Sequence, residues 1–82
     1  MQRISRNEWD CAKGRVVVCD KWRNGRQTHH QICLWTQPRQ GMGYYGVVDI
    51  ETLREIPFGR LDLAWEMAEA IAIEYDREEE VS

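Results

Sequence analysis

No apolar run in this sequence approaches the roughly 20 residues that a membrane-spanning helix requires. Met1-Gln2-Arg3-Ile4-Ser5-Arg6 contains no apolar signal core. A cytoplasmic protein with no membrane partner is therefore expected. Cysteine is scarce and odd in number: Cys11, Cys19 and Cys33 form no Cys-x-x-Cys pair, which points to reduced, partly buried thiols. A glycine-rich phosphate loop is missing as well. Gly41-Met42-Gly43 precedes a strand-like stretch instead of linking a strand to a helix, the wrong context for cradling phosphate.

What is present describes one folded domain over residues 1–82. Hydrophobic content is 43% and charged content 30%, the balance of a globular chain and not of a disordered one. At this length the core is modest, because short chains bury a smaller fraction of their surface. The net charge of −3 hides an asymmetry: residues 1–43 carry about +5 and residues 44–82 about −8. Such polarity bears on partners and steering, not on fold.

Arg15 to Trp35 reads as a β-hairpin about Asn24-Gly25, the favoured pair where both turn residues take positive φ. A tight loop then pairs Arg23 with Arg26, Trp22 with Gln27, Lys21 with Thr28, Asp20 with His29 and Cys19 with His30. Continuing down the ladder, Val17 faces Ile32 and Val16 faces Cys33. Alternation places Val17, Cys19, Ile32 and Leu34 on one face. It places Val16, Val18, Trp22, Cys33 and Trp35 on the other, with Asp20 and His29. Cys19 and Cys33 fall on opposite faces, which argues against a bridge between them. Both faces are partly apolar. Either an N-terminal segment or a bulge resolves this, or one face meets a partner or a second copy in a homodimer.

Ser5-x-x-Glu8 has capping-box form and Gly14 suits a helix end, so a short helix over 6–13 is one reading, with Trp9, Ala12 and Ile4 inward. An irregular arm with Trp9 plugging the core is the other. Pro38, Gly41 and Gly43 mark a loop that carries Arg39. Tyr44 to Ile50 reads as a third strand, with Thr52 to Ile56 either its extension or a helical turn ended by Pro57. Leu61 to about Glu78 is amphipathic: Leu61, Ala64, Trp65, Ala68, Ile71, Ala72 and Tyr75 recur at three- and four-residue steps. Residues 78–82 read as a frayed acidic tail. The expected fold class is α+β, a three-stranded antiparallel meander with a C-terminal amphipathic helix on one face, optionally preceded by the short N-terminal helix.

Asp20, His29 and His30 with Cys19 or Cys33 are the residues that most resemble a catalytic set, but the tight-loop register divides them between faces, and nucleophile, base and orienter must converge. No enzyme, metal or cofactor is expected. Two charged surfaces remain. The hairpin and loop carry Lys21, Trp22, Arg23, Arg26 and Arg39, able to track phosphate and stack a base. The helix carries Glu66, Glu69, Glu74 and Asp76, a negative stripe suited to a basic surface.

The element order is similar to that of a double-stranded RNA-binding domain, although Gly59-Arg60-Leu61-Asp62 stands where that family has a lysine cluster. Ala70-Ile71-Ala72-Ile73-Glu74-Tyr75-Asp76 echoes the helix of the plant ethylene-response-factor DNA-binding domain, without its Trp-Leu-Gly strand motif. Neither likeness carries a functional residue onto this chain. In size, acidic balance and lack of active-site chemistry the chain resembles small phage- or mobile-element-encoded inhibitors of bacterial defence, of the anti-CRISPR kind. That resemblance implies a non-enzymatic protein that binds a protein or protein–RNA complex of a bacterial host and blocks nucleic-acid access. The alternative is direct nucleic-acid binding through the hairpin.

Overall fold

A computed structural model describes residues 1–36 and 50–81. Five strands, β1 (Gln2–Ser5), β2 (Glu8–Cys11), β3 (Gly14–Arg23), β4 (Arg26–Trp35) and β5 (Ile50–Pro57), are followed by one helix, α1 (Leu61–Val81). The strands form a single antiparallel sheet in chain order. The helix crosses one face of that sheet, against β2 to β5. The α+β class and the C-terminal helix agree with expectation, and the strand count does not.

The two additional strands are β1 and β2, and β2 with the turns on either side of it occupies the segment read as a helix over 6–13. The Ser5 hydroxyl does meet Glu8, but it donates to the Glu8 carboxylate across a turn at 2.7 Å, so the capping-box pair is spent between side chains and not on helix amides. Alternation then sends Trp9 wholly into the core beside Val16, while Ile4 and Ala12, expected inward, are exposed. Gly14 opens β3 instead of ending a helix. Its φ is 143° and a Cβ there would lie 2.3 Å from the Trp35 carbonyl oxygen, so neither backbone nor space admits a side chain.

The Asn24-Gly25 turn forms as read, with φ of 53° and 76° and Arg23 opposite Arg26. Beyond Trp22–Gln27 the ladder slips, however: Lys21 pairs with His29, Asp20 with His30, Val18 with Ile32 and Val16 with Leu34. Thr28 is the extra residue, a β-bulge, and its hydroxyl donates to the Lys21 carbonyl at 3.2 Å. Because side chains alternate, one inserted residue moves all of β4 to the other face. Val16, Val18, Ile32 and Leu34 thereby gather on the helix side. The apolar residues that a bulge-free ladder divides between two faces form one core.

That core is closed by Trp9, Ile56 and three alanines, Ala64, Ala68 and Ala72, all fully buried. Their small side chains let the helix approach the sheet closely, and Leu61, Trp65, Ile71 and Tyr75 flank the seam half-buried. The helix runs on through residues 78–81 to Val81 instead of ending near Glu78 in a tail. β5 is the register partner of β4, so residues 52–56 are strand and not a helical turn. Pro57 closes that strand at the sheet edge, where a missing N–H costs no ladder bond. Of the strand read over Tyr44–Ile50, only Ile50 lies within the described residues.

On the far face, Val17 and Cys33 are buried and Cys19 and Trp35 half-buried. Arg15 bridges Asp10 at 2.7 Å and Glu8 at 3.4 Å there, and the Asp10 hydrogen bond raises its pKa. No helix among the described residues is long and apolar enough to cross a membrane.

Candidate functional site

The hairpin outruns its neighbours. β2 pairs with β3 no farther than Val17, and the last pairing of β5 is Pro57 with His29. Residues 21–28 therefore project past the sheet as a two-stranded ribbon closed by the Asn24-Gly25 turn. Lys21, Trp22, Arg23 and Arg26 are all exposed, Trp22 at 65%, the most open large hydrophobic side chain among the described residues. Among the described residues, no carboxylate lies within ion-pair distance of Lys21, Arg23 or Arg26. Four of the five expected hairpin-and-loop residues are thus brought together. Arg39 lies outside the described residues.

The acidic helix is less uniform than its sequence. Glu66 and Glu74 are exposed and Glu69 is half-buried. Asp76 is already engaged: it accepts from the Ala12 amide at 2.7 Å and pairs with the Met1 amine. These contacts, the amine first and then the Ala12 amide, hold its carboxyl below the usual range. Asp76 is a clasp between the helix and the β2–β3 turn, so of the four expected helix acids Glu66, Glu74 and part of Glu69 stay open to a partner.

The bulge also rearranges the titratable residues under the hairpin. The expected cross-strand pair of Asp20 with His29 is replaced by Asp20 with His30. His30, 4% exposed, sits under the tip with Nδ1 donating to Asp20 Oδ1 at 2.7 Å. Gln27 Nε2 lies 3.2 Å from the same nitrogen, and Phe58 stacks on the ring at 6.5 Å between centroids. His29 turns to the far face, 2.9 Å from the Thr28 hydroxyl and 3.9 Å from Glu55. Cys19 and Cys33, expected on opposite faces, share the far face, and both are free thiols. Burial first, and Cys33 second, push the Cys19 thiol up. The histidine–aspartate pair thus lies on one side of the sheet and the cysteines on the other. Among the described residues no group of three or more His, Cys, Asp or Glu is arranged to hold a metal.

One cluster escaped the sequence reading. Arg3 and Arg6, counted there only as charges, stack on the indoles of Trp9 and Trp65 along an open groove beside α1. The Arg3–Trp9 contact follows from their pairing across β1 and β2, which is legible only once residues 2–11 are read as strands. Comparison with protein-family models, with curated proteins and with solved structures returns no match to this chain.

Proposed function

We propose that this chain is a binding protein, not an enzyme, and that it works by surface complementarity through the hairpin tip. In its most concrete form it is an inhibitor. It seats the tip on the nucleic-acid-bearing surface of a bacterial defence nucleoprotein and blocks access of nucleic acid. The supporting observation is Trp22, 65% exposed on a projecting ribbon that also carries Lys21, Arg23 and Arg26. Solvating so large an indole is unfavourable, and Trp and Arg are the residues that dominate binding energy at interfaces. Cations with no intramolecular carboxylate keep their full attraction for an anionic surface.

Direct nucleic-acid binding is the second reading, favoured by the same ribbon, whose two-stranded form fits a major groove. Salt separates the two. Contacts from Lys21, Arg23 and Arg26 to three phosphates give log K against log salt a slope of about −2 to −3, and Arg23→Glu with Arg26→Glu flattens it. A nucleoprotein target held largely through protein survives nuclease treatment and loses affinity in the same variant. Loss confined to Glu66→Lys with Glu69→Lys assigns the contact to the helix and a basic partner surface instead. The homodimer that a two-sided apolar hairpin allows as one alternative loses much of its motive, since Val16, Val18, Ile32 and Leu34 are spent on the helix.

A further inference from the structure

The groove at the β1 edge is a second site, separate in the chain from the hairpin. Arg3, Ile4, Ser5, Arg6 and Trp65 line about 590 Å³ of open space. The Arg3 guanidinium lies 4.8 Å from the centre of Trp9 and 5.8 Å from Trp65, and that of Arg6 lies 5.7 Å from Trp65. Two like charges converge on one indole. Among the described residues neither has a carboxylate in ion-pair range. Asp62 and Glu69, one helical turn to either side of Trp65, pair with neither.

Most of the donors are unspent. Arg3 donates Nε–H to the Ser5 carbonyl at 3.2 Å and Nη2–H to the Arg6 carbonyl at 2.7 Å, two of the five N–H groups a guanidinium carries. Arg6 makes no hydrogen bond through its guanidinium among the described residues. The floor is rigid: Trp65 Nε1–H donates to Asn7 Oδ1 at 2.7 Å, and the Asn7 carbonyl accepts from Val18 N–H at 2.9 Å. Planar donors held against a fixed indole are preorganised for the oxygens of a phosphate, which guanidinium groups match in geometry.

We infer that this groove binds a nucleoside phosphate, with its phosphate between Arg3 and Arg6. Bare phosphate leaves most of the open space along the groove empty. A guanidinium plane is also a surface on which a base stacks. Asp62 and Glu69 hold the affinity down, to a Kd of about 0.1–1 mM.

The test is a ¹H–¹⁵N titration of the full chain with ADP, inorganic phosphate and adenosine in parallel. ADP is expected to move the Trp65 indole N–H and the amides of residues 3–7, with weaker effects from the other two. Arg6→Gln, which removes one cation stacked on Trp65 and no guanidinium hydrogen bond among the described residues, is expected to raise the ADP Kd about tenfold. Arg54→Gln, exposed on β5 and outside both surfaces, is expected to leave it unchanged. An unmoved Trp65 indole at about 10 mM ADP, well above the expected Kd, overturns the site, as does wild-type affinity in Arg6→Gln. Phosphate binding as tightly as ADP overturns the nucleoside assignment.

Discussion

Deleting Thr28 separates the two registers of the hairpin more sharply than any substitution. In the bulged ladder Thr28 is the extra residue between Trp22–Gln27 and Lys21–His29. Its removal joins two stretches already in register and leaves every core residue on its face. The loss is two exposed hydrogen bonds of the Thr28 hydroxyl, to the Lys21 carbonyl at 3.2 Å and with His29 Nδ1 at 2.9 Å, together about 1–2 kcal/mol because both stay open to water. In a bulge-free ladder the same deletion turns residues 29–35 over. Ile32 and Leu34, at 0% and 6% exposure, leave the core at about 1.5–3 kcal/mol each, and Gln31 and Cys33 enter it. The penalty is then about 3–6 kcal/mol, most of the stability of a domain this size. Urea unfolding followed by tryptophan fluorescence reads the difference. A shift of about 1–2 kcal/mol with an unchanged m-value is expected. A loss above about 3 kcal/mol refutes the bulge and the assignment of the core face with it.

Other consequences are independent of the bulge. Gly14→Ala places a Cβ 2.3 Å from the Trp35 carbonyl oxygen at a φ of 143°; a loss above about 1 kcal/mol in urea is expected, and a neutral result contradicts the tight β3–β4 approach. The carboxyl of Asp76 has a lowered pKa in the folded chain, so its contribution is complete above the ordinary aspartate range and disappears as pH falls through the lowered folded value. Asp76→Asn is therefore less stable than wild type at neutral pH and converges with it in acid, and parallel stability curves contradict the clasp. Burial raises the Cys19 thiol, so its alkylation at neutral pH is slower in the folded chain than in urea; equal rates, read by peptide mass mapping, contradict that placement.

Legibility followed the range of the interactions. Asn24-Gly25 announces its turn because the requirement for positive φ is local to two residues. The alanines at 64, 68 and 72 announce the helix seam because their spacing is the helix period. Thr28 gives no local signal as a bulge. Its ladder slip is selected by tertiary packing, since only the slipped register lets α1 cover Val16, Val18, Ile32 and Leu34 together. Ser5-x-x-Glu8 misled for a related reason: the same two side chains satisfy each other across a strand turn, and burying Trp9 decides between the forms. The hairpin-tip cations were legible as a group because all lie within one turn of chain. Arg3, Arg6 and Trp65 were not, because the indole stands fifty-nine positions beyond the second arginine and only the unforeseen β1–β2 pairing joins them.

The central claim is that the hairpin tip is the contact surface, and a paired capture experiment tests it most directly. Wild type and the Arg23→Glu, Arg26→Glu variant, each shown to be folded by circular dichroism, are used as bait in nuclease-treated and untreated bacterial lysate. The account predicts a nucleoprotein component that wild type retains through nuclease treatment and the variant loses. Equal capture by the variant, or recovery of nucleic acid alone with nothing left after nuclease, contradicts it.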